Sequence, residues 1–151
     1  QIEQLPTGLP TLELAPTPTP TPVTAASLPG FNTPSYSATQ VYWGRRGCSP
    51  TDLTVEIMHS DPTAYSIVLF YRLVVIDSGE KTDWMPMPMS PLGGGYFNLM
   101  LNPETAAVGL GSFSPMMIDI QVVATDQSGN ELGRTPVYSD VMLDYCVPGS
   151  S

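Results

Sequence analysis

Few residues in this chain have the types and spacing that chemistry needs. There are two cysteines, Cys48 and Cys146, and one histidine, His59. A structural zinc site takes four Cys or His ligands, more than the chain holds, so zinc is not expected. The cysteines form no CxxC pair. A disulfide in an exported protein fits them, closing a loop of about 100 residues worth ~4–5 kcal/mol of chain entropy. Two buried free thiols are the alternative. His59 closes the segment "DLTVEIMH" just before "SDP". A catalytic histidine needs a nucleophile beside it in space. Serines are plentiful, but the strained GxSxG elbow is missing, so His59 reads as a polar residue facing a turn.

The carboxylates sit mostly in turns, among them Asp61, Asp77, Glu80, Asp83, Asp126 and Glu131. Turns recruit Asp for local hydrogen bonding, and glycoside hydrolysis would need two of them facing across a cleft. The best metal candidate is "DQSGNE", where Asp126, Asn130 and Glu131 offer oxygen ligands of the kind calcium takes. It is not the EF-hand pattern, and a plain hairpin turn is the competing reading. "MPMPM" puts Met85, Met87 and Met89 on one face of an extended segment, a thioether set that could hold Cu(I). The plainer reading has the methionines filling an irregular apolar contact while Pro86 and Pro88 protect a sheet edge. "PLGGGYF" lacks the lysine and following helix of a phosphate-binding loop. Tyr42, Trp43, Tyr65 and Trp84 could stack on sugars or serve as core and cross-strand pairs. No cofactor and no catalytic residue is expected.

These residues are carried by a chain of two compositions. Residues 1–36 hold eight of seventeen prolines and only two charges, Glu3 and Glu13, whereas residues 37–151 hold all five basic residues and both cysteines. We read an extended Pro-rich N-terminal tail, 1–36, followed by a domain, 37–151. The tail opens with spaced apolar residues, Ile2, Leu5, Leu9, Leu12 and Leu14, while Pro6 and Pro10 oppose a long helix. "TLELA" alternates like a short strand. From Pro16 to Pro22 proline alternates with threonine. Each proline fixes its own φ and extends the residue before it, giving a polyproline II spacer at ~3.1 Å per residue. Thr17, Thr19 and Thr21 are candidate O-glycan acceptors.

The domain reads as strands between turn signals. "SATQVYWG", "DLTVEIM", "AYSIVLFYRLVVI", "WMPMPM", "GGGYFNLMLN", "MMIDIQVVATD" and "PVYSDVMLDYC" are about seven candidates. "DLTVEIM" puts Leu53, Val55 and Ile57 on one face, and "MMIDIQVVATD" does the same with Met116, Ile118, Ile120 and Val122. "NPETAAVGLG" alone looks helical, and its glycines keep it short. The expected fold is all-β, an antiparallel sandwich of about seven strands.

Charge narrows the partners. The net charge is −9 with five basic residues, which disfavours nucleic acid and anionic membranes. No run of ~18 apolar residues offers a membrane helix. A chain that starts at Gln1 without methionine reads as a processed mature form, though a shortened fragment would look the same.

"YWGRRGCSPTDLTVEI", "VLFYRLV", "DWMPMPM", "GYFNLML", "IQVVATDQSGNE" and "PVYSDVMLDYC" together resemble an immunoglobulin-like or fibronectin-type-III-like module of secreted or cell-surface bacterial proteins. The resemblance spans about residues 37–146. It implies an Ig-like sandwich in which Cys48 and Cys146 pair, in a family of spacers, adhesins and accessory domains of enzymes. The Thr-Pro run is similar to linkers that join such modules to other parts. The departure is that only a 15-residue apolar-spaced tip precedes the linker.

The function expected is therefore non-enzymatic: a secreted or cell-surface structural subunit of a filament or layer. Its N-terminal tail, through Ile2, Leu5, Leu9, Leu12 and Leu14, would pack head-to-tail on another copy, for instance by strand addition to a sheet edge. The alternative is an adhesion or carbohydrate-binding module on a stalk, with glycans as partners. A third reading is an accessory fragment of an enzyme whose catalytic part lies outside this chain.

Overall fold

The computed structural model describes residues 30–147. The tail positions Ile2 to Leu14 and the threonines Thr17, Thr19 and Thr21 lie outside the described residues. In chain order the elements are β1 (Ser35–Tyr36), β2 (Gln40–Gly44), β3 (Leu53–Met58), β4 (Ser66–Val75), β5 (Met85–Pro88), β6 (Ser90–Gly93), β7 (Tyr96–Leu101), α1 (Glu104–Leu110), β8 (Met116–Thr125), β9 (Glu131–Arg134) and β10 (Tyr138–Cys146). The fold is all-β with one short helix. Two sheets, ordered β1-β3-β7-β6 and β2-β10-β8-β4-β5, enclose one core in a sandwich-like arrangement.

Alternation builds that core. Leu53, Val55 and Ile57 of β3 are fully buried, and so are Met116, Ile118 and Val122 of β8, while Ile120 is 1% exposed. Leu69 and Leu73 of β4 and Leu143 of β10 complete the layer from the larger sheet. Each such side chain contributes roughly 1.5–3 kcal/mol relative to exposure. Helix α1 presses Ala107 into the core and stops at Gly111, whose φ of 68° is the left-handed cap that glycine adopts freely.

The seven expected strands are all present, and three short ones join them. β9 overlaps a segment that reads as turn and β6 lies between two strand candidates, because four residues carry too little periodicity to signal a strand. β1 lies in the stretch assigned to the tail. Residues 30–36 are in fact folded onto β3: Phe31 bridges to His59, the Asn32 amide donates to the Met58 carbonyl (3.1 Å), and Ser35 and Tyr36 pair with Glu56 and Val55. The sheets are also not wholly antiparallel. After β1 the chain crosses between sheets at residues 37–39 and keeps its direction, so β2 meets β10 in parallel register, Gln40 opposite Met142 through Gly44 opposite Cys146.

This crossing gives the body two distinct poles. At one, Gly30 and Phe31 lie beside His59 at the end of β3, and β4 and β8 meet at Ser66 and Thr125. At the other lie Gly44, Val75, Met116 and the disulfide Cys48–Cys146. The ten-residue strands between them span ~33 Å. Tyr36 ties the sheets together from within, its hydroxyl donating to Asp140 Oδ2 of β10 at 3.4 Å.

Candidate functional site

The disulfide pole carries the most unusual surface. Beyond the α1 cap the chain runs through "SFSP" into β8, and the Ser114 amide donates to Ser112 Oγ (3.2 Å) to shape the turn. The turn lifts Phe113 into solvent, 67% exposed. Phe113 stacks on Trp43, with centroids 5.9 Å apart and planes 10° from parallel, and meets Tyr145 edge-on at 4.7 Å. Trp43 and Tyr145 make a third contact at 5.0 Å. Such pairs each add ~0.5–1.5 kcal/mol beyond area burial, so the triad is a firm base for an exposed ring.

Gly44 makes the triad possible. A Cβ there would stand 2.4 Å from the Tyr145 ring, and φ is 96°. Only glycine lets Tyr145 lie across β2 at this point. Around the triad runs a groove of about 400 Å³ walled by Tyr42, Phe113, Pro115, Tyr145 and Val147. Val147 is itself 54% exposed. The polar rim is Gln40, whose side-chain amide donates to Asp144. Arg45 and Arg46 follow β2 at the same pole, both exposed.

The residues singled out in the sequence do not gather into one site. Cys48 and Cys146 form the disulfide. His59 is 3% exposed, so it is buried as well as facing the turn that follows β3. Its Nδ1 accepts from the Asp61 amide at 3.1 Å, and Phe31 packs edge-on to the ring at 4.5 Å. The entering tail strand is what buries it. A Cβ on Gly30 would stand 2.5 Å from the imidazole, so the backbone itself covers the ring.

In the calcium candidate both carboxylates are already engaged by hydrogen bonds. Asp126 Oδ1 accepts from the amides of Ser128 and Asn130, both at 2.9 Å, and Oδ2 accepts from Asn130 Nδ2 at 3.3 Å. The Asn130 amide, foremost, holds the Asp126 carboxyl below the usual carboxylate range. Arg134 grips Glu131 with two hydrogen bonds, 2.9 and 2.6 Å, and lowers its pKa in turn. Among the described residues no group of three or more His, Cys, Asp or Glu is placed to hold a metal ion.

Met85 and Met87 pack against the core and Met89 is part of it, so the three thioethers serve the apolar contact. The Met89 amide donates to the Ile67 carbonyl of β4. By the two-residue period, the amides of Met85 and Met87 also face β4, and Pro86 and Pro88 turn their donorless nitrogens outward. The aromatic candidates are scattered. Trp43 is buried, Tyr65 stands 68% exposed at the opposite pole, and Trp84 is half-covered by Arg72, whose guanidinium lies 4.4 Å from the ring centroid. Arg72 is fixed by Asp119 (3.1 Å), which also accepts from Ser139 Oγ (2.6 Å). Phe113, central to the groove, was not singled out. An aromatic between two serines in a short loop was its only signal.

No protein-family model matches this chain, and no curated protein matches it either.

Proposed function

We propose that this chain is an exported, non-enzymatic structural protein with an immunoglobulin-like body, joined head-to-tail to other copies through its N-terminal tail. The sheet orders support the Ig-like reading. With β1 and β2 as the two halves of a first strand that switches sheets, β1-β3-β7-β6 and β2-β10-β8-β4-β5 follow the A-B-E-D and G-F-C arrangement of such domains. The disulfide supports an oxidising, extracellular setting. The buried His59 and the committed carboxylates of Asp126 and Glu131 support a role without catalysis.

The observation that carries the assembly reading is the polarity of the body. The tail leaves at Gly30 beside His59, and the exposed aromatic groove lies ~33 Å away at the disulfide pole. A contact between a tail at one pole and a surface at the other is heterologous, and repeated it makes an open chain. Sedimentation velocity and electron microscopy of the full chain test this, with a variant lacking residues 1–15. The full chain is expected to form linear oligomers and the variant to stay monomeric. A monomeric full chain, or a truncated one that still polymerises, refutes the reading.

One observation favours a second reading, a carbohydrate-binding or adhesion module on a stalk. An exposed Phe113 ring beside the Gln40–Asp144 pair combines the apolar face and polar groups that sugars engage. Saturable glycan binding by monomeric protein, lost in Phe113→Ala, would establish it.

A further inference from the structure

The groove at the disulfide pole has what an extended apolar peptide needs. Tyr42, Pro115 and Tyr145 form its walls, and Phe113 and Val147 stand above them with more than half their surfaces in water. Phe113 cannot simply collapse inward, because Trp43 already fills the space beneath it. The ring is held out by its own support.

The sheet edges, by contrast, are poor docking sites. On β5, Pro86 and Pro88 present no donors to an incoming strand. β6 carries Pro91, and the Tyr42 amide of β2 is taken by the Pro50 carbonyl at 2.9 Å. β1 is only two residues long. Among the described residues the edge strands are short or carry proline, which favours a partner segment that binds through side chains.

We propose that the groove receives residues 9–14 of a second copy's N-terminal tail, which deepens the assembly reading above and rests on it. Three properties select this occupant. In an extended segment Leu12 and Leu14 fall on one face, about 7 Å apart, a spacing suited to the apolar wall. Leu9 adds a third apolar side chain. The tail is acidic through Glu3 and Glu13 and carries no basic residue, while Arg45 and Arg46 stand exposed at the groove's pole. Asp144, the acid at the rim, is engaged by Gln40. The third property is direction. The chain enters the body at Gly30 at the opposite pole, and the Thr-Pro run, read as polyproline II, would add ~22 Å of extended chain. To fill its own groove the tail would have to reverse along the whole body. A neighbour stacked end to end brings the segment there directly.

The test is photocrosslinking in the full chain. Phe113→p-benzoylphenylalanine protein is mixed with an equal amount of ¹⁵N-labelled wild type, irradiated, and digested for mass spectrometry. Crosslinks from position 113 to labelled residues 9–14 are expected. Leu12→Asp, a change outside the described residues, should remove them and weaken association by about tenfold or more. Crosslinks within one molecule, crosslinks to a neighbour's body, or no crosslinks at all overturn the proposal. Sedimentation separates its failure from that of the assembly reading. If Phe113→Ser folds and still assembles while deletion of residues 1–15 abolishes assembly, the groove is wrong and the tail-mediated reading stands. If the wild-type chain does not assemble, both fall.

Discussion

Removing the disulfide should cost this protein a large share of its stability. Cys48 lies in the loop between β2 and β3, and Cys146 ends β10, with a sequence separation of 98. The loop entropy removed from the unfolded chain then amounts to about 4.7 kcal/mol. A domain of this size is stable by ~5–15 kcal/mol, so the bond accounts for a third or more of the total. The perturbation is the double variant Cys48→Ala/Cys146→Ala. Alanine is chosen because the two sites are 8% and 1% exposed, and serine would bury new hydroxyls. With an m-value of ~2 kcal/mol/M, the urea midpoint should fall by ~2 M. Reduced wild type, which keeps every sulfur in place, serves as the control and should fall almost as far. The reasoning is refuted if both midpoints move by less than ~0.5 M, about 1 kcal/mol. It would then follow that the unfolded chain keeps the two cysteines close without the bond.

Two further outcomes test the geometry. Gly44→Ala should destabilise by ~1–3 kcal/mol in thermal melts, through strain at φ 96° together with overlap on Tyr145. Gly47→Ala carries strain alone, since φ is 109° and nothing lies within 4 Å of its Cβ; equal losses at the two sites would show that the Tyr145 contact is not what requires Gly44. Stability should also form a plateau in pH. Asp126 and Glu131 have lowered pKa values, so their contribution is complete above the ordinary carboxylate range near ~4 and is lost as pH falls through their lower folded values. Tyr36 is shifted up, first by burial and then by Asp140, so its contribution is complete below ~10 and is lost as pH rises through the higher folded value. Tyr36→Phe should flatten the alkaline arm of urea midpoints measured against pH and leave the acid arm alone; an unchanged alkaline arm would count against the Tyr36 assignment.

What could be read in the sequence was what repeats along one strand. The alternation in Leu53–Met58 and Met116–Thr125 gave both the strands and their buried faces, because a sheet with one face on a core imposes a period of two. The Met-Pro alternation at β5 revealed an edge for the same reason. What stayed hidden depends on contacts across the chain. His59 looks like a turn residue until Gly30 and Phe31 cover it from 29 and 28 positions away. Asp119 looks like a solvent-facing residue of β8, yet Arg72 and Ser139 close over it to 7% exposure. The groove was invisible because its parts come from β2, the loop before β8 and the end of β10, and no single segment carries its pattern.

The parallel pairing of β2 with β10 bears most directly on function. Had the chain turned back after β1, its first strand would have ended near the pole where it began, and the groove would have lacked the Tyr42 wall and the Trp43 ring that supports Phe113. By crossing sheets without reversing, residues 40–44 carry both aromatics to the far pole and set Trp43 against Tyr145, one residue before the disulfide. The same crossing leaves Gly30 and Phe31 behind at the other pole, where the Ser60 amide donates to the Gly30 carbonyl at 2.9 Å and Phe31 bridges to His59. One topological choice therefore separates the tail from the surface proposed to receive it and builds that surface. A domain made this way has two unlike ends, and two of its four sheet edges, β5 and β6, carry Pro86, Pro88 and Pro91. The proposed assembly would grow along the axis through the poles.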